Sequence, residues 1–148
     1  MKKVIILSGV SGSGKSTLAK MLASVELNPF ICSADKAFMD GGEYKFDVTK
    51  LEAAHKACFA DFVTALAMPK YSTIIIDNTN LQNWEMAGYI QYANHVGAEI
   101  QIIRVHSSLT VKQLAERNIH GVPEKSIKAM MERMEELPYP WKKYEVKP

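Results

Sequence analysis

The stretch most committed to chemistry runs from Gly9 to Ser16, Gly-Val-Ser-Gly-Ser-Gly-Lys-Ser. Every defined position fits G-x-x-x-x-G-K-[ST], a loop whose glycines let backbone N–H groups turn inward around an anion. A β-branched run precedes the loop and a helical pattern follows, so the helix adds its positive dipole end at the same place. Such a loop binds a nucleoside triphosphate through Gly9, Ser11, Gly12, Ser13, Gly14, Lys15, Ser16 and Thr17. Lys15 is expected on the β and γ phosphates, and the Ser16 hydroxyl on Mg²⁺.

Two carboxylates stand at the ends of later apolar runs. Asp35 follows Phe30-Ile31-Cys32-Ser33, and Asp77 closes Thr73–Ile76 ahead of Asn78-Thr79-Asn80. In doubly wound folds a site lies at the carboxyl ends of the strands, so Ser16, Asp35 and the 77–80 stretch converge there. That convergence makes Asp35 the candidate general base on an acceptor hydroxyl. Capping a short helix over residues 36–39 is its competing, compatible role. Asp77 either binds Mg²⁺ through water or orients Lys15 and Ser16, or else is a turn residue. Asn78, Thr79 and Asn80 either line an acceptor pocket or form that turn. Trp84 either stacks on a nucleobase or anchors the start of a helix in the core.

The chain lacks the Asn-Lys-x-Asp stretch with which switch GTPases read guanine. Motor ATPases end the second acidic strand with Asp-Glu, the Glu acting on water; here Asn78 stands in that place. What remains is a small kinase that moves the γ-phosphoryl to an acceptor other than water.

The elements that must position these residues follow from periodicity. Strands are expected over Val4–Leu7, Phe30–Ser33, Thr73–Ile76 and Ile100–Val105. Helices are expected over Lys15–Val25, from a Thr49/Glu52 capping box to about Ala67, and over Asn83–Val96, Thr110–Arg117 and Pro123–Glu136. Strands alternating with helices predict an α/β fold of three layers around a mostly parallel sheet. The 148 residues fit one domain, with a non-helical tail at about 138–148 set by Pro138 and Pro140.

Bulk properties narrow the setting. Eighteen basic against sixteen acidic residues give a formal charge of +2, too slight to mark a nucleic-acid surface by itself. Cys32 and Cys58 lie in apolar stretches without C-x-x-C spacing, as buried free thiols in a reducing compartment do. The apolar run after Lys2-Lys3 ends at Leu7, short of a signal peptide's core, and no stretch is long enough to span a membrane. A cytoplasmic protein is expected, and no pattern points to a protein partner.

The motifs together resemble the P-loop polynucleotide 5′-hydroxyl kinases, AAA-type ATP-binding kinases that include the kinase domain of the bacteriophage enzymes. The branch in which that domain is part of larger animal proteins with nuclease-like modules is especially similar. The shared marks are "LSGVSGSGKST" (7–17), "SAD" with Phe38 (33–38), "GGEYKFD" (41–47) and "EAAH" (52–55). "IIIDNTN" (74–80), "NWEM" (83–86), "LAERNIHGVP" (114–123) and "MMERME" (130–135) complete them.

The resemblance implies a P-loop kinase fold with a helical lid over about 107–122. It implies Lys15 and Ser16 on ATP and Mg²⁺, Asp35 as base, and Arg117 as the lid's cationic clamp, a solvated helix arginine being the alternative. His120 either adds a phosphate contact or serves as a cation at the helix end. The implied acceptor is the 5′-OH of DNA or RNA; a nucleoside, a hydroxymethylated base or another small hydroxyl compound is the alternative. A non-catalytic ATP-sensing module is the alternative from another class. Two departures stand out. Phe38 occupies the place of an arginine that grips the acceptor's phosphate in the phage enzymes, and is expected to stack on a base or ribose instead. Ile119-His120-Gly121 replaces a second lid arginine, and Lys36, Lys45 or Lys142-Lys143 are the possible substitutes.

Overall fold

The computed structural model describes residues 1–137 and the backbone of 142–146. The opening β-branched run forms β1 (Lys3–Ser8), and the helix after the glycine loop is α1 (Lys15–Val25). Next come β2 (Pro29–Cys32), a 3-10 turn over Ala34–Phe38, and a small hairpin of β3 (Met39–Asp40) and β4 (Glu43–Tyr44). The remaining elements are α2 (Leu51–Ala67), β5 (Thr73–Asp77), α3 (Asn83–His95), β6 (Glu99–Val105), α4 (Val111–Arg117), α5 (Glu124–Glu132) and β7 (Lys142–Val146).

The main sheet has the order β2-β5-β1-β6-β7, and every neighbouring pair in it is parallel. Parallel strands need helical crossovers and are buried on both faces, which the side chains of β1 show directly. Val4 and Ile6 join one core with Ala54, Cys58 and Phe62 of α2 and Met86 and Ile90 of α3. Ile5 and Leu7 point the other way, against Leu18, Ala19 and Leu22 of α1. A third cluster of Val10, Leu81, Leu114 and Ile127 seats α4 and α5 beside the glycine loop. Each fully buried Ile or Leu contributes roughly 1.5–3 kcal/mol, so the sheet is a rigid platform. The fold is the α/β three-layer arrangement with a parallel sheet and a helical lid.

Several boundaries differ from the periodicity reading. Thr49 and Glu52 do not form a capping box. Asp47 captures both the Thr49 N–H, at 2.9 Å, and its hydroxyl, at 2.6 Å, and Glu52 pairs with Lys56. A carboxylate two residues upstream closes a tighter local turn and takes the hydroxyl away from the helix. Helix α5 ends at Glu132 rather than Glu136 because Glu135 is recruited elsewhere. Its N–H donates to Leu81 O and its carboxylate accepts the N–H of Asn83, while its carbonyl accepts from Arg104. Of the expected non-helical tail, 142–146 form β7 at the sheet edge; 138–141 and 147–148 lie outside the described residues. No helix among the described residues is long and apolar enough to cross a membrane.

Cys32 and Cys58 are free and buried, and burial pushes the Cys32 thiol up to about 12. Because the thiolate is the reactive species, neither cysteine is expected to react with a maleimide in the folded protein, and both should react in denaturant. Rapid native labelling counted by mass spectrometry would contradict this packing.

Candidate active site

The register of the sheet brings the chemistry to one edge. Leu7 pairs with Asp77, Ser8 with Arg104 and Cys32 with Ile76, so the loops after β1, β2 and β5 leave the sheet at a common level. One cleft there is lined by Lys15, Ser16, Asp35, Asp77, Arg117 and His120, with Ser11, Gly12, Gly14, Thr17, Asn78 and Thr79 around them.

The glycine loop wraps to start α1 at Lys15, with Gly14 in the left-handed region at φ 102. At Gly12, φ is +80, and an added Cβ would lie 2.6 Å from the backbone oxygen of Leu114. Only glycine lets the lid helix α4 rest directly on the loop. Gly9 meets Val105 O and Ser13 Oγ in the same way, and Ser13 is buried within the loop. Its hydroxyl has no hydrogen-bond partner among the described residues, which suits a loop built to present donors to an anion.

Lys15 Nζ donates to Val10 O at 3.2 Å. Burial lowers its pKa, and the carboxylates of Asp77 and then Asp35 oppose that shift. Ser16 Oγ donates to Asp77 Oδ2 at 3.0 Å. Burial raises the pKa of Asp77, with Lys15 and the Ser16 hydroxyl pulling it back and Asp35 adding to it. A hydroxyl and a desolvated carboxylate side by side are hard oxygen donors of the kind Mg²⁺ takes together with substrate phosphates. The residues therefore fit Mg²⁺, and Ser16 and Asp77 are the pair that would hold it. No cluster of three or more His, Cys, Asp or Glu residues forms a protein-only metal cage among the described residues.

Asp35 sits one residue into the 3-10 turn. Ser33, not Asp35, caps that turn: its Oγ accepts the Asp35 N–H at 3.2 Å. The carboxylate is thereby left free of the capping role and is held from two other elements. Tyr44 Oη, from the hairpin, donates to Oδ1 at 3.0 Å. His120 Nε2, from the segment after α4, lies 3.3 Å from Oδ2. The Tyr44 phenol is raised above its ordinary range by burial, by the Asp35 charge and by the bond it donates to that carboxylate. Its ring lies against the His120 ring, with centroids 4.1 Å apart.

Arg117 is the last residue of α4, and its Nη2 would be 3.9 Å from a Cβ on Gly14. A capping box formed by Thr110 and Gln113 starts this helix, and the buried Leu114 anchors it. His120 leaves the helix and turns back to Asp35, so it is neither a helix-end cation nor a residue aimed at the loop alone.

Other expected positions serve the scaffold. Asn78 is buried. Its Oδ1 accepts the Ala34 N–H at 2.9 Å and its Nδ2 donates to Cys58 Sγ at 3.4 Å, tying the Asp35 turn to β5 and α2. Thr79 lines the cleft, and its carbonyl accepts the Gly9 N–H at 2.9 Å. Asn80, 2 % exposed and at φ 43, donates from Nδ2 to Leu7 O at 2.8 Å and accepts at its carbonyl from Ser8. It is a turn residue bracing β1, and no acceptor can reach it.

Phe38 is a correction of a different kind. It is 4 % exposed, in the core beneath α2, with the rings of Tyr44 and Phe46 over it. A buried phenyl offers no face to a base or ribose. Trp84 is 73 % exposed at the first turn of α3, neither a core anchor nor part of the cleft lining, and its Nε1 donates to Gln82. Lys36 donates to Ile31 O and lies over Phe30, and Lys45 pairs with Asp40 and Glu43 on the hairpin surface. Neither reaches the cleft, and the side chains of Lys142 and Lys143 lie outside the described residues.

Two residues were not singled out by the sequence. Tyr44 depends on the hairpin, for which the Gly41-Gly42 pair was the available turn signal. Asn118 organises the segment that carries His120. Its Nδ2 donates to Leu114 O, Ala115 O and Val122 O, and its Oδ1 accepts the Val122 N–H.

Comparison with known proteins agrees with this geometry. The human NEDD4-binding protein 2 is 38% identical over 131 residues, covering 87% of this chain; the chain spans only 7% of that protein's length. A sugar kinase from Janibacter sp. HTCC2649 superposes with a TM-score of 0.69 at 18% identity, over 99% of this chain and 86% of that one. A chain of the Pnkp1/Rnl/Hen1 RNA repair complex does so with a TM-score of 0.69 at 24% identity, over 89% of this chain and 43% of that one. Residues 4–137 match the family model described as an AAA domain. With its phosphate loop and helical lid on that frame, the chain belongs to the AAA domain family and has a P-loop kinase fold.

Proposed function

We propose that this domain transfers the γ-phosphoryl of ATP to a hydroxyl group, the 5′-OH of DNA or RNA being the acceptor. The observation that carries the reading is the position of Asp35. It shares a cleft with Lys15, Ser16 and Arg117, and its carboxylate caps no turn but is held in the cleft by Tyr44 and His120. A carboxylate so placed can accept the proton of an attacking hydroxyl. The loop N–H groups and Lys15 hold the triphosphate, and Arg117 meets the charge that spreads over the transferring group. Ser16 and Asp77 are the residues that would hold Mg²⁺, whose charge would offset that of the phosphates. The likeness to a chain of the RNA repair complex supports a nucleic-acid acceptor.

A second reading, a small hydroxyl compound, is favoured by one specific feature. Beyond Lys15, Arg117 and His120, no cationic side chain lines the cleft among the described residues. A polynucleotide's neighbouring phosphate thus has no dedicated partner there. Labelled ATP offered with 5′-hydroxyl oligonucleotides, nucleosides, hydroxymethylated duplex DNA and sugars separates the two. Label on the oligonucleotide 5′ end is the expected result, and label on small hydroxyls alone would replace the nucleic-acid reading.

A further inference from the structure

Asp35 is gripped from two sides that belong to different parts of the molecule. Tyr44 comes from the hairpin, whose Lys45 N–H donates to Phe38 O at 2.8 Å and so fixes it to the Asp35 turn. His120 comes from the lid. The lid is seated on the glycine loop at Gly12 and Gly14, and the four bonds of Asn118 make residues 118–122 one unit with α4. Where α4 goes, His120 must follow.

We propose that His120 is a positioning residue through which the seated lid aims the base: its Nε2 stands 3.3 Å from Asp35 Oδ2, opposite the Tyr44 hydroxyl on Oδ1. The inference rests on the kinase reading of the cleft. A carboxylate accepts at about four lone-pair sites, so two donors fix its plane and leave room for an acceptor hydroxyl. The Tyr44 ring backs the imidazole and limits its rotation. Asp77 also acts on His120 electrostatically, Lys15 acts on both carboxylates, and Arg117 ends the lid helix just ahead of the segment that carries His120. The charges that bind phosphate and the group that takes the proton are therefore coupled through the lid. When α4 lifts from the loop, Arg117 and the second donor to Asp35 leave together, and the base loses its aim at the moment the phosphate clamp opens.

The test uses the whole chain. His120→Ala should lower kcat for transfer by roughly 10–10²-fold, the cost of a slightly misplaced group, with the KM for ATP unchanged. His120→Gln, which keeps a donor at similar reach, should recover part of that loss, and Tyr44→Phe should lower kcat in the same sense. In an Asp35→Asn background His120→Ala should cost nothing more, because residues that act through one group are not additive. Equal additional loss in that background would overturn the proposal, as would a rise in KM with kcat intact. Nitrogen spectra of histidine-labelled protein need no turnover: Asp35→Asn should move the His120 Nε2 signal. An unmoved signal overturns the contact itself. A moved signal in a protein that phosphorylates no acceptor overturns the kinase reading and leaves the lid-to-base contact standing.

Discussion

Asp35→Asn is expected to lower phosphoryl transfer by about 10²–10⁴-fold, the range general-base groups contribute, while ATP binding survives. The amide is isosteric, so the 3-10 turn stays capped by Ser33 and the Tyr44 hydroxyl keeps an acceptor at Oδ1. On the other side an Asn nitrogen would face the His120 nitrogen in place of an oxygen, so that contact is lost along with the charge. Lys15 is also affected, because the Asp35 charge helps keep its buried ammonium protonated. Asp77 has the larger influence of the two and remains, so the triphosphate keeps its lysine. Calorimetric titration of ATP alongside a transfer assay checks both halves. Full transfer by Asp35→Asn would remove the base assignment; loss of ATP binding would mean that the carboxylate serves the nucleotide instead.

How much of this was legible in the sequence depended on how local the physics is. The phosphate loop was readable because eight consecutive residues carry all its constraints, and the strand before and the helix after are set by equally local patterns. Asp35 was readable as a candidate because strand ends in a parallel sheet must share an edge. The capping box and the end of α5 failed for the opposite reason. Asp47 and Glu135 outcompeted the expected helix contacts, Asp47 two residues away and Glu135 through partners more than thirty residues away.

The acceptor side was the least legible part. Phe38 is three residues after Asp35, which suggested a shared face, but a phenyl ring gains more from burial than from stacking at a surface. The chain folds Tyr44 and Phe46 over it. That same fold delivers Tyr44 to the base, so the misread aromatic and the missed one are two consequences of a single hairpin whose strands are two residues long. Of the two roles open to Asn80, it takes the turn, and what decides this is the bond from its amide to Leu7 O, a partner 73 residues away.

Arg117→Ala is the second large effect expected, a loss of about 10³–10⁵ in kcat, the contribution of an arginine at a transferring phosphoryl group. The size follows from where the charge acts. Charge builds on the equatorial oxygens only as the phosphoryl group moves, so a cation aimed there stabilises the transition state more than bound ATP. Loss should accordingly appear in kcat, with the KM for ATP changed far less. The lid should survive the truncation. Arg117 is exposed, whereas α4 is held by Leu114 in the core and by its Thr110–Gln113 capping box. Arg117→Lys tests the geometry within the same charge. Lysine supplies a point charge without the planar fork, so it should recover only part of the rate. A rise in KM alone would make Arg117 a ground-state nucleotide contact, and full activity in Arg117→Ala would leave the seated lid without a catalytic reason. Between those outcomes the comparison with His120→Ala is decisive. Both residues ride on the same segment, so a lid that had merely come loose would lower both activities equally. A clamp acting on the phosphate and a donor acting through the base should differ by at least one order of magnitude, in the order Arg117 before His120.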